Sequence, residues 1–103
     1  MTEEGSTAEE PYAFTLYQNA PNPFNPGTSI GYELTQPGQV NLRIYDLLGR
    51  EIAELVDGMK DTGHHEVYWN GRDSSGNPAA SGVYLYRFEA GGHAVTKRMM
   101  LVR

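Results

Sequence analysis

Three histidines, one oxygen-rich loop and a scatter of serines and tyrosines are the residues of this chain whose types could do chemistry. His64 and His65 are adjacent. On a strand, neighbouring side chains point to opposite faces, so the two imidazoles do not converge on one metal ion. His93 follows a glycine pair. Zinc needs three or four convergent ligands, and no spacing here supplies them, so no metal ligand is assigned. Asp73-Ser74-Ser75-Gly76-Asn77, with Asp57 and Asp61 as possible companions, has the oxygen ligands a calcium loop uses. It lacks the bidentate glutamate at the twelfth position, and Asp, Ser, Gly and Asn are also ordinary turn formers. Ser29, Ser74, Ser75 and Ser81 have no nucleophile-elbow context and no His/Asp set to activate them. Tyr12, Tyr17, Tyr45 and Tyr68 could form an aromatic platform for a sugar, or belong to a tyrosine-rich core. The expectation is a chain with no catalytic residues, no metal and no cofactor.

The elements that would hold these groups are short strands. Ala13–Tyr17 forms a first one. Thr28–Leu34 alternates, with Ile30, Tyr32 and Leu34 on one face. Gln36-Pro37-Gly38 reads as a turn, and Val40, Leu42 and Ile44 then alternate with Asn41, Arg43 and Tyr45. Asp46-Leu47-Leu48-Gly49-Arg50 is a hairpin link in which Gly49 is free to take a positive φ. Glu51–Val56 is a short strand, followed by a polar loop from Asp57 to Gly63. Glu66–Asn70 places Val67 and Trp69 on one face. Val83–Phe88 is apolar on both faces, the mark of a central strand. After the Gly91-Gly92 turn, Ala94–Val102 returns as the last strand. About seven strands, roughly ten residues apart, predict an all-β, immunoglobulin-like antiparallel sandwich with no disulfide, since there is no cysteine.

Composition narrows the partners. The net charge is −5, but Glu3, Glu4, Glu9 and Glu10 concentrate acid in a start that has no base. Residues 1–11 read as a flexible acidic linker and 12–103 as one domain. Beyond residue 10 the chain holds nine acids and eight bases. A nearly neutral body lacks the basic face that nucleic acid requires. No apolar run is long enough for a membrane-spanning helix, and there is no signal peptide. Export would need one, so the chain reads as the C-terminal part of a longer protein. Two further features stand out. Pro21-Asn22-Pro23-Phe24-Asn25-Pro26 is a rigid segment without regular structure, because its prolines fix φ and remove donors. The ending Lys97-Arg98-Met99-Met100-Leu101-Val102-Arg103 is an extended, basic and apolar strand. At a sheet edge it could pair with another protein's strand.

At these residues the chain resembles the type A C-terminal sorting domain of the type IX secretion system and the related immunoglobulin-like domain of flagellar hook-capping proteins. The match rests on Tyr17 through Pro26, Thr28–Leu34, Val40 through Ile52, Gly63-His64-His65-Glu66-Val67, Trp69-Asn70-Gly71, Ser81–Arg87 and the basic-apolar ending. It covers about residues 14–103, and its specificity lies in the order and spacing of motifs that are weak singly. The usual ending pairs lysines with Leu or Ile, where this chain has Met99-Met100. The resemblance implies a non-catalytic domain at the end of an exported protein. Such a domain is read by the outer-membrane secretion machinery and handled by attachment enzymes, with a cargo domain N-terminal to it and a final location secreted or on the cell surface. It implies recognition residues at Pro21, Asn22, Pro23, Phe24, Gly49, Arg50, Gly82, Tyr84, Lys97, Arg98, Leu101 and Arg103. The alternatives are a carbohydrate-binding or adhesion module of an extracellular enzyme, and a hook-cap-like assembly domain. The chain's stop at the last strand favours the sorting domain.

Overall fold

A computed structural model describes residues 13–103. Seven strands follow one another: β1 (Phe14–Leu16), β2 (Thr28–Leu34), β3 (Gly38–Tyr45), β4 (Glu51–Lys60), β5 (Gly63–Trp69), β6 (Gly82–Ala90) and β7 (His93–Leu101). They form a three-stranded sheet, β1-β2-β5, packed on a four-stranded sheet, β4-β3-β6-β7. All strand pairings are antiparallel. This is the immunoglobulin-like sandwich that the strand spacing predicts. The expected linker at 1–11 lies outside the described residues, as does Tyr12.

Alternation dictates the two layers. Ile30, Tyr32 and Leu34 of β2 point inward to meet Val40, Leu42 and Ile44 of β3 and Tyr84, Tyr86 and Phe88 of β6, all buried. Tyr32 and Phe88 meet across the layers with ring centroids 4.8 Å apart, and Phe14 meets Phe88 at the same distance. Burial of these large rings is the main source of stability in a domain without a disulfide.

Two tyrosines sit inside the sandwich with their hydroxyls satisfied. Tyr86 Oη donates to Tyr17 C=O at 2.8 Å and accepts from Asn19 N–H at 3.0 Å, tying β6 to the segment after β1. Burial pushes its phenol pKa up to about 12. Tyr84, near the start of β6, donates to Ala80 C=O at 2.6 Å, four residues upstream. That is the tyrosine corner of immunoglobulin-like sandwiches.

Several boundaries differ from expectation. β4 continues to Lys60 where a polar loop was expected from Asp57. Asn41 pairs with Asp57 and Gly38 with Lys60, and register shifts beside Arg43 and Tyr45 bend the ladder. An edge strand with one solvated face needs polar residues, and these read as loop in sequence. β1 is shorter than Ala13–Tyr17, β5 begins earlier, at Gly63, and Gly38 is the first residue of β3 rather than a turn residue.

Candidate functional site

The recognition residues expected from sequence fall mostly at one end of the sandwich, where β2 and β6 begin and β5 and β7 finish. The proline-rich segment leaves the three-stranded sheet here and crosses to the edge of the four-stranded one. Phe24 N–H donates to Met100 C=O at 2.9 Å, and Phe24 C=O accepts from Val102 N–H at 2.9 Å. This single parallel bridge joins Phe24 to Leu101. Asn22 Oδ1 adds a third bond, accepting from Met100 N–H at 3.0 Å. The Phe24 ring is buried 5.7 Å from the Trp69 ring, which in turn meets Tyr84 edge-on at 5.5 Å. Trp69 Nε1 donates to Arg72 C=O at 2.8 Å.

A small polar knot holds the segment upstream. Asn19, buried, donates from Nδ2 to Pro21 C=O and to Thr28 Oγ1, both at 3.1 Å. Thr28 Oγ1 donates to Pro21 C=O at 2.8 Å. Gln18 Nε2 donates to Asn19 Oδ1 at 2.6 Å, so the side-chain polar atoms of this buried pair all have partners, as burial requires.

Arg103 closes the end from the other side. Its Nε donates to Ala79 C=O at 2.6 Å, its Nη2 to Gly71 C=O at 2.5 Å and its backbone N–H to Ser81 Oγ at 2.9 Å. The fork of the guanidinium spans two carbonyls of the β5–β6 loop. Gly71 is fixed by geometry: its φ is +77°, and a Cβ there would lie 2.3 Å from Pro26 O.

The β3–β4 turn projects beside this end. Asp46 Oδ1 accepts N–H bonds from Leu48 and Arg50, each at 2.9 Å, and its Oδ2 meets Arg50 Nε at 2.7 Å. These donors, the backbone bond from Arg50 first among them, hold the Asp46 carboxyl below the usual range. Gly49, with φ +85°, closes the turn. Leu47 and Leu48 stand out from it, 64% and 78% exposed. Burial raises the Tyr84 phenol pKa, with Asp46 adding to the rise and Arg103 opposing it, so the turn and the C-terminal arginine both lie within electrostatic reach of β6.

Pro21, Asn22, Pro23, Phe24, Gly82, Tyr84, Leu101 and Arg103 thus form one continuous end, with Gly49 and Arg50 beside it. Phe24, Tyr84 and Leu101 are buried and build that end, so a partner would meet Asn22, Pro23, Arg50 and Met100. Lys97 and Arg98 lie farther along β7, opposite Tyr86 and Leu85. Asn19, Thr28, Gly71 and Trp69 contribute as much as the expected residues. Asn19 is legible only as a polar residue ahead of an Ala-Pro pair, and nothing in the sequence ties Gly71 to Arg103.

The other candidates disperse. Asp73 Oδ1 accepts from its own turn, Ser75 N–H at 3.0 Å and Asn77 N–H at 2.9 Å. Ser74 N–H binds Ile52 C=O, which places this loop at one end of β4, while Asp57 lies five residues along the strand and binds Gln39 Nε2 at 2.9 Å. Among the described residues no three His, Asp or Glu side chains converge. His64 lies outward 3.4 Å from Glu66 and near the Tyr17 ring, whereas His65 stacks on buried Tyr32. Tyr17 and Tyr68 face outward from the three-stranded sheet and Tyr45 from the four-stranded one, so they form no single platform.

The profile of the FlgD Ig-like domain matches residues 18–93, most of the chain. The chain belongs to the FlgD Ig-like domain family. This is a non-catalytic family of domains. No curated protein sequence matches the chain. Among solved structures, dimeric latent PorU from Porphyromonas gingivalis superposes on this FlgD Ig-like domain with a TM-score of 0.74 and 20% identity, over 92% of this chain and 10% of PorU. PorZ, an essential bacterial surface component of the type IX secretion system of the same organism, gives 0.60 and 27% identity, over 85% of this chain and 11% of PorZ. FlgD from P. aeruginosa gives 0.57 and 23% identity, over 73% of this chain and 60% of FlgD. The chain therefore spans about a tenth of PorU and PorZ and under two thirds of FlgD. No helix among the described residues is long and apolar enough to cross a membrane.

Proposed function

We propose that this FlgD Ig-like domain is a non-catalytic C-terminal sorting domain: it labels an exported cargo for the type IX secretion machinery and for attachment enzymes at the cell surface. The observation that carries the reading is the convergence at one end of Pro21–Phe24, Gly82–Tyr84 and Leu101–Arg103. These segments are far apart in sequence and are joined through the Phe24–Leu101 bridge and the Arg103 clamp. Likeness to a domain of PorZ supports it. A rigid end built from three segments is a surface that a receptor reads only when the domain has folded.

Deleting Lys97–Arg103 is a poor test, because Met99 and Leu101 are buried core and their loss unfolds the sandwich. The better variant changes exposed atoms of the end alone: Pro23→Ser together with Arg50→Ala. A secreted reporter carrying residues 12–103 should be exported in a bacterium that has the secretion system. The double variant should remain folded at the temperature of the assay, since neither side chain is core, and lose most of that export. Equal export of both fusions, with both folded, rejects the sorting role.

A further inference from the structure

We propose that the open half of β7, Ala94–Arg98, accepts an extended, carboxylate-bearing strand from a partner protein, which would add to the four-stranded sheet as a fifth strand. The proposal rests on the sorting reading and deepens it by naming what the edge leading away from the recognised end joins to, and its binding step is separable from export.

β7 is an edge strand whose outer side divides into two halves. Backbone groups along a strand alternate in direction, and those of Arg98, Met100 and Val102 point away from β6. Near the C-terminus these outward groups are taken: Phe24 holds Met100 C=O and Val102 N–H, Asn22 holds Met100 N–H, and Gln18 Nε2 donates to Arg98 C=O at 2.7 Å. The same alternation turns outward both backbone groups of Ala94 and Thr96 and the N–H of Arg98. Among the described residues nothing pairs with them. The bonds that Phe24 makes are those of an added strand, one residue long, so the edge already receives chain in that geometry where it is closed.

Charge selects the occupant. Arg43, Arg50 and Arg87 are each paired with a carboxylate, Glu54, Asp46 and Glu89 respectively. Lys97 and Arg98 form no ion pair with a described residue, and they lie on opposite faces of the open edge. Unpaired cations deter two copies from pairing edge to edge, since each would bring the same charges and no acid. They attract a strand that carries carboxylates. Side-chain room exists at both ends of the open stretch on the outward face. A recess of about 310 Å³ is lined by Asn22, Val83, Arg98 and Met100, and another of about 390 Å³ by Arg87, Glu89 and Ala94. Strand addition takes affinity from the backbone and specificity from such recesses.

The test uses the whole chain and an end-blocked ten-residue peptide of alternating Thr and Val with two Thr replaced by Asp, against its Lys counterpart. The Asp peptide should slow amide exchange at Ala94 and Thr96 and bind more tightly than the Lys peptide. Thr96→Pro removes an outward N–H and no bond to β6, and should weaken binding at least about tenfold. Arg98→Glu should shift preference to the Lys peptide, which decides the matter if the proline variant does not fold. Equal binding by folded Thr96→Pro, protection confined to other strands, or self-association through this edge in sedimentation overturns the proposal. Export untouched by Thr96→Pro but lost on Pro23→Ser with Arg50→Ala discards the edge and keeps the sorting role. Peptide binding intact with export indifferent to every variant discards the sorting role alone.

Discussion

Truncating Phe24 to alanine should unfasten the end of the molecule on which the functional reading depends. The ring is 2% exposed although it belongs to a segment with no regular structure. Transfer of a phenylalanine side chain from water contributes about 1.5–3 kcal/mol, and its pairing with Trp69 adds about 0.5–1.5 kcal/mol. The prolines on either side restrict how far the segment can collapse into the void. The cost should therefore lie within the usual range for buried Phe→Ala, about 3–5 kcal/mol. For a domain near 100 residues that lowers the melting temperature by at least about 12 °C. Trp69 is the only tryptophan, and its ring lies against Phe24, so its fluorescence reports urea unfolding directly. The midpoint should fall with the slope unchanged, Phe24→Leu should recover most of the loss, and Val102 N–H, held by Phe24 C=O, should exchange faster in the alanine variant. A Phe24→Ala midpoint within about 0.5 kcal/mol of the parent would falsify the claim that this ring anchors the proline-rich segment to β7.

Arg103→Lys should destabilise by about 1–2 kcal/mol, because an ammonium cannot span the carbonyls of Gly71 and Ala79 as the guanidinium does; an unchanged melting temperature refutes the clamp. Tyr86 gives a pH signature. Burial raises its folded pKa from the ordinary phenol value of 10.0 to about 12. The fold favours the neutral phenol, so its contribution is fully present below about pH 10 and is lost as pH rises towards 12, a fall of at most about 2–3 kcal/mol. Urea midpoints between pH 9 and 11 should drop more steeply in the parent than in Tyr86→Phe, and parallel curves would contradict the assignment.

The double layer was legible because its signal is periodic. Ile30, Tyr32 and Leu34 alternate with Gly31 and Glu33, and in β6 Tyr84, Tyr86 and Phe88 turn into the core while Val83 and Leu85 stay half-buried on the outer face of the sheet. The turns were legible because their chemistry is local: Asp46 and Asp73 each accept N–H bonds two and four residues on, with a positive-φ glycine at the third. The end of β4 was not, because Asp57, Gly58 and Lys60 have a loop's composition and only the pairing with β3 makes them strand. The Asn19–Thr28 bond joins residues 9 positions apart, the Arg103–Gly71 bond 32 and the Phe24–Leu101 bridge 77, and a contact at that range leaves no mark in local composition.

The division of β7 follows from the same economy of contacts. A strand at the edge of a sheet must have its backbone closed by something, or be left open and protected by charge. Phe24 and Asn22 close the portion that ends in buried Leu101, where fraying would admit water to Trp69 and Tyr84. Ala94–Arg98 has no such core beneath its whole length: Val95 is exposed and Lys97 half-buried, so opening this stretch to a partner costs the core little. Closure is thus concentrated where packing demands it, and the open stretch carries two cations that form no ion pair among the described residues. An edge meant only to resist aggregation could have placed its charge anywhere along β7. Placing it beside free backbone groups and between two recesses is what makes a carboxylate-bearing strand the partner to test first.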